Sequence, residues 1–255
     1  VIGMAQSFRW SRGSEVSPDQ WRAFCLAVSV MLSRCASIPL GDEHGNLVEA
    51  DAAFLRLPPL GTGTDGFDAL PISVRINGVD SESGTPFALQ RDSHEGAFST
   101  GHAHGHLVYG ALLLAASTLN GFKLQVECTE QEGGYGMALA QAALVEVFPN
   151  LPPASVESFF ASFPGAEEAQ AMAGRAAGYG KLIARVDELI ASADGKEPAG
   201  RFEVVTLRTA RAVRHRLQIG VDHKFDAEYS LHSLEGFFNQ SKFLEPAPQW
   251  VELNP

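Results

Sequence analysis

Residues 122–129 read Phe122-Lys123-Leu124-Gln125-Val126-Glu127-Cys128-Thr129. Apolar and polar side chains alternate without a break, so the stretch is predicted to be a strand with one face buried and one face wet. Just upstream, His106 to Asn120 is apolar nearly all round at helical spacing, and Asn120-Gly121 supplies a C-terminal stop. A helix with no polar face has to be buried, whereas a strand of this kind needs cover on one side only. Met137 to Phe148 follows as a further helix. A sheet covered on one face by helices is the architecture this order implies.

Working outward, Ser17-Pro18-Asp19-Gln20 combines a capping Ser, Pro at the first helical position and Gln where a capping box requires it. Trp21, Phe24, Cys25, Val28, Met31, Leu32 and Cys35 then recur on one helical face, and Ile38-Pro39 closes the element. Ser7 to Trp10 reads as a short strand. Ile72, Val74 and Ile76 alternate with polar residues, as do Phe87 and Leu89, and the two runs are expected to pair as an antiparallel hairpin. Residues 41–70 are loop-rich, with Phe54, Leu55 and Leu57 as a candidate strand, and residues 92–105 read as a polar, glycine-rich loop.

Beyond the joint Pro149 to Pro153, a short helix is expected over 155–163 and a long one over 166–193. Phe202 to Leu207 and Val213 to Ile219 alternate as a hairpin, and an aromatic tail carries Phe237, Phe238, Phe243 and Trp250. The fold class is therefore α+β: a mainly antiparallel sheet packed on helices, followed by a helical segment and a C-terminal β-hairpin. Residues 1–150 form the α+β core, 151–195 the helical segment packed on it, and 196–255 the hairpin and tail. One compact unit is expected.

Of the 255 residues 45% are apolar and 19% charged, with sixteen Phe against four Tyr and three Trp, which describes a folded chain with a ring-rich core. The formal charge of -11 repels phosphate and disfavours non-specific binding to nucleic acid or anionic membrane. The apolar run Leu107 to Ala116 is too short to span a bilayer. Cys25, Cys35 and Cys128 lie in apolar segments with no C-x-x-C pair, which points to small buried hydrophobes and a cytoplasmic setting rather than a disulfide framework. Native numbering is expected to begin at Met4.

Gly61-Thr62-Gly63-Thr64-Asp65-Gly66 has the letters of a dinucleotide loop, but Pro58-Pro59 precedes it and Asp65 repels phosphate, so it reads as a plain loop. Gly133-Gly134-Tyr135-Gly136 reads as a turn ahead of the helix at Met137. Three of the eight histidines, His102, His104 and His106, are spaced by two; in an extended segment they share a side and face one metal. Gly101-His102-Ala103-His104-Gly105-His106 resembles the H-x-H-x-D-H loop of metallo-β-lactamase-like hydrolases, with Gly105 in place of the Asp. That resemblance implies a divalent metal and later ligands, for which Asp222, His215 and His223 are the candidates.

Charge reverses locally in the last third. Arg201, Arg208, Arg211, Arg214 and Arg216 fall in a stretch whose one acid is Glu203. If the segment is a hairpin, Arg214 and Arg216 share a strand face, and with Arg208 and Arg211 they make an anion- or partner-binding platform, because guanidinium forks bind carboxylate and phosphate in bidentate fashion. Three functions follow. The first is a non-enzymatic cytosolic binding or regulatory protein that acts through protein or small-ligand surfaces, with a protein partner or a second copy. The second is a metal-dependent hydrolase built on the histidines, and the third a nucleotide or small-anion binder built on the arginines. Whether the chain is an enzyme stays open, and no cofactor beyond the metal is expected.

Overall fold

The computed structural model describes residues 6–35, 38–42, 44–45, 70–79 and 84–245. The expected strand at Phe54–Leu57, the glycine loop 61–66, Trp250 and the start at Met4 lie outside them. The chain divides into two compact units, residues 1–174 and 175–255, so the division falls inside the segment 151–195. The first unit runs β1 (Gln6–Arg12), α1 (Pro18–Arg34), β2 (Ser73–Ile76), β3 (Phe87–Gln90), β4 (Glu95–Thr100), α2 (His104–Thr118), β5 (Phe122–Glu127), α3 (Glu130–Val147), α4 (Pro153–Phe160) and most of α5 (Ala166–Gly178). The second holds α6 (Gly180–Ser192), β6 (Glu197–Pro198), α7 (Arg201–Ile219), α8 (Lys224–Gln240) and β7 (Phe243–Leu244). The class is α+β, with small antiparallel sheets and a C-terminal strand pair. Among the described residues no helix is long and apolar enough to cross a membrane.

In the first unit β1 is the middle strand of an antiparallel sheet of order β4-β1-β5. Phe8 lies between Phe98 and Val126, and Trp10 between Gly96 and Leu124, which places the large side chains of three strands on one face. Gly96 is required there: a Cβ at this position would sit inside the Trp10 indole. β4 occupies residues expected as loop. Its sequence has little alternation, and it becomes a strand because the free edge of β1 needs backbone partners. β2 and β3 pair as the expected hairpin, Val74 opposite Leu89 and Ile76 opposite Phe87.

α1 begins as its capping box dictates, the Ser17 hydroxyl accepting from the Gln20 amide at 3.3 Å while the Gln20 side chain accepts from the Ser17 amide at 3.2 Å. The expected apolar face of α1 is buried, from Trp21 through Leu32. α2 is buried round most of its circumference, and its Tyr109 ring stacks on Phe8 with centroids 5.6 Å apart.

α3 begins seven residues earlier than expected. Thr129 and Glu132 form a second capping box, the Thr129 hydroxyl accepting from the Glu132 amide at 3.2 Å and the Glu132 carboxylate accepting from the Thr129 amide at 2.9 Å. Gly133, Gly134 and Gly136 are therefore helical and do not make a turn. They let other backbone come close. A Cβ on Gly136 would collide with the His106 carbonyl of α2, one on Gly110 would lie 2.8 Å from the Gly136 carbonyl and 2.7 Å from Met31 Sδ, and one on Gly133 would lie 2.6 Å from the Pro164 carbonyl.

The long helix expected over 166–193 is broken at Tyr179, between α5 and α6. Within the second unit, Tyr179, Val186, Ala210, Val213, Leu217, Ala227 and Leu234 form the core, drawn from α6, α7 and α8. The expected strands 202–207 and 213–219 are a single helix, α7, which corrects the hairpin there; the C-terminal strand pair is Glu197–Pro198 with Phe243–Leu244.

Gly136→Ala should lower unfolding free energy by about 1–3 kcal/mol through overpacking, although alanine is the better helix former by about 1 kcal/mol. Gly174→Ala, whose Cβ would meet nothing within 4 Å, should instead gain up to about 1 kcal/mol. Urea unfolding of the two variants checks both signs.

Candidate functional site

The three clustered histidines sit where β4 turns into α2. His102 lies before the helix, its amide donating to Thr100 Oγ1 at 3.1 Å, and its ring stacks on that of His104 with centroids 5.8 Å apart. His104 opens α2 and is buried. His106 lies two positions on, and two residues of helix turn the side chain by about 200°. Its ring therefore leaves the other two and packs edge-on against Tyr135 of α3, 5.7 Å between centroids.

There the His106 Nδ1–H donates to the Glu132 carbonyl at 2.8 Å, an acceptor that can take only a proton, which settles the tautomer. Burial lowers the imidazole's affinity for a second proton, outweighing the Glu132 carbonyl and carboxylate that favour it. The spacing that would align three ligands on a strand separates them on a helix. Among the described residues no group of three or more His, Cys, Asp or Glu is placed to hold a metal ion. Of the distant candidates, Asp222 accepts from Arg216, His215 is a buried residue of α7, and His223 is the exposed residue before α8.

The arginine run divides in the same way once it is helical. Arg214 forks onto Asp187 of α6, its second bond 3.3 Å long, and Arg216 binds Asp222, so both are tied inside the second unit. Burial raises the Asp222 pKa, and the Arg216 charge only partly offsets this. Glu203, the one acid of the run, is also engaged, accepting from the Lys242 amide at 2.9 Å; that bond holds its carboxyl below the ordinary range.

Arg201, Arg208 and Arg211 are exposed and form no ion pair among the described residues. With Val204 and Val205 they occupy positions i, i+3, i+4, i+7 and i+10, which is one stripe along the first three turns of α7. Val204 is 53% exposed and Val205 50%. Phe202 flanks the stripe, 44% exposed and edge-on to Phe237 of α8 at 6.2 Å. Of the four arginines expected to form the platform, only Arg208 and Arg211 lie on this face, and Arg201 joins them. The stripe is legible as helical spacing from Arg201, whereas alternation over 213–219 favours the other end of the segment.

No known protein family, curated protein or solved structure matches the chain.

His106 titrates differently folded and unfolded. Its folded pKa lies below the unfolded value of about 6.5, so its contribution to stability is complete above that pH and declines as pH falls toward the folded pKa. Urea unfolding between pH 8 and pH 5 should show a shallower loss for His106→Gln, which keeps a donor for the Glu132 carbonyl without the titrating ring. Equal slopes for the two proteins would refute this assignment.

Proposed function

We propose that the chain is a binding protein whose α7 stripe, Arg201, Val204, Val205, Arg208 and Arg211, docks an acidic amphipathic helix from a partner protein. The observation that carries this reading is the exposed Val204–Val205 pair framed by three arginines that have no ion-pair partner among the described residues, in a protein of net charge -11. Apolar side chains at i, i+3 and i+4 anchor a helix, and fixed cations beside them select carboxylates on it and repel basic competitors. Arg208 and Arg211 gain more from such a partner than lysines would, since each guanidinium offers a planar fork to a carboxylate. Phe202 and Phe237, both partly exposed, extend the apolar strip at its N-terminal end, and aromatic rings bury a large area at such contacts.

A synthetic amphipathic helix with Leu at i, i+3, i+4 and i+7 and Glu along both flanks tests the reading by fluorescence anisotropy. It should bind, weaken as salt is raised, and lose about 100-fold in affinity against Arg208→Glu with Arg211→Glu. Equal binding of the same peptide with Lys in place of Glu would remove the reading. A concentration-dependent dimer in sedimentation that the same two substitutions dissolve would identify a second copy as the occupant instead.

A further inference from the structure

We propose that the cleft between the end of β1 and the turn joining β3 to β4 binds a small organic carboxylate, with Arg12 as the group that holds it. This lies in the first unit and is independent of the α7 stripe.

Arg12 is the last residue of β1, on the strand face that also carries Phe8 and Trp10, and only 6% of it is exposed. Its backbone is fixed on both sides, opposite Phe122 of β5 and through its amide, which donates to the His94 carbonyl at 2.7 Å. Its Nε is buried with no hydrogen-bond partner among the described residues, and its guanidinium forms no ion pair there. A buried N–H without an acceptor is costly, and folded chains do not ordinarily leave one so. The same side chain lines a cavity of about 200 Å³ with Glu15, Val16, Arg91, Asp92 and His94. Nε itself has no accessible surface, so a ligand in this cavity would meet the rest of the guanidinium head.

The neighbouring charges select the ligand. Asp92 is already used: Arg91 forks onto it with bonds of 3.0 and 3.1 Å, so these two cancel each other. Burial lowers the Arg12 pKa, and the attraction of Asp92, which is not in ion-pair contact with it, only partly offsets this. Glu15 is exposed at the rim and touches no cation among the described residues. The lining charges, Arg12 and Arg91 against Asp92 and Glu15, sum to zero, so what a ligand meets is the buried Arg12 guanidinium, which contacts no carboxylate among the described residues. A monoanion matches it, whereas a phosphate dianion would bring a second negative charge up against Asp92 and Glu15. A carboxylate also fits the guanidinium fork in bidentate geometry. Buried Val16 gives the cleft an apolar wall for a carbon substituent. The volume is below the roughly 300–1,000 Å³ of pockets for drug-sized ligands, which limits the ligand to a small acid.

The uniformly ¹⁵N-labelled protein tests this directly, because the Arg12 Nε–H shift reports changes at its guanidinium head. Its resonance is assigned by its disappearance in Arg12→Met or, should that variant not fold, by through-bond correlation to the Arg12 side-chain protons. Acetate, benzoate, inorganic phosphate and sodium chloride are titrated at matched ionic strength. Acetate or benzoate should shift the Arg12 Nε–H saturably with a Kd on the order of 1–10 mM, and phosphate and chloride should be weaker by at least about tenfold. Glu15→Gln, an exposed substitution, should tighten the carboxylate about threefold by removing a like charge. Three results overturn the proposal: no saturable shift with either carboxylate up to about 50 mM, phosphate binding as tightly as carboxylate, or Glu15→Gln leaving affinity unchanged or weaker.

Discussion

The first unit depends on how closely two helices approach. α2 carries apolar side chains round most of its circumference, so it is stable only when enclosed. It is enclosed by α1 and α3 and by the apolar face of the sheet, and the crossing with α3 leaves no room for side chains between the backbones at Gly110 and Gly136. At that distance the capping box at Thr129 acquires a second role. By starting α3 at Glu130 it sets the glycines in helical phase, so that Gly136 meets the His106 carbonyl while Gly133 and Gly134 receive the chain around Pro164 and Glu168. Gly165, with φ of +100°, gives its amide to the Glu130 carboxylate at 2.8 Å and completes this fit. Tyr109 secures it from the α2 side, its ring on Phe8 and its hydroxyl on the Pro164 carbonyl at 2.7 Å.

That contact also decides what the histidines can do. Because α2 is held through its first turn, His104 and His106 are committed to opposite sides of a helix, one beside Phe98 and His102 and the other against Glu132 and Tyr135. The thiols are absorbed by packing in a similar way. Burial pushes Cys25 up to about 12 and Cys128 up to about 11, far from the thiolate form that a nucleophile or metal ligand needs. Cys35 lies 3.3 Å from the Tyr135 hydroxyl.

In the second unit electrostatics do the sorting. Asp187, Asp222 and the Lys242 amide take up Arg214, Arg216 and Glu203, and the Tyr179 hydroxyl and Arg175 Nε close the turn after α7 by donating to the Asp222 and Gly220 carbonyls, the second at 2.8 Å. Gly220, at φ of +70°, is the left-handed C-cap that permits that turn. What remains outward on α7 is then a residue left over from internal pairing, and that is why its basic character stands out on an acidic protein.

Local rules were sufficient for α1, β2, β3 and β5, where capping residues or strict alternation each admit one conformation. The same letters were ambiguous elsewhere. Alternation over 213–219 suits a strand, yet Val213 and Leu217, three and seven residues after Ala210, also make a helical face, and packing against Val186 and Ala227 chooses the helix. Gly133 to Gly136 suits a turn until a neighbouring backbone needs the space, and β4 is a strand only because β1 has an edge to fill. Arg12 had no signal at all, since an arginine ending a strand says nothing of whether its head is solvated. Composition and periodicity alone thus determined an α+β chain with buried α2, a half-buried β5 and an acidic surface. Tertiary structure decided which polar groups find partners and which are left facing a cleft or the solvent, because hydrogen bonds and ion pairs form between residues that only folding brings within reach.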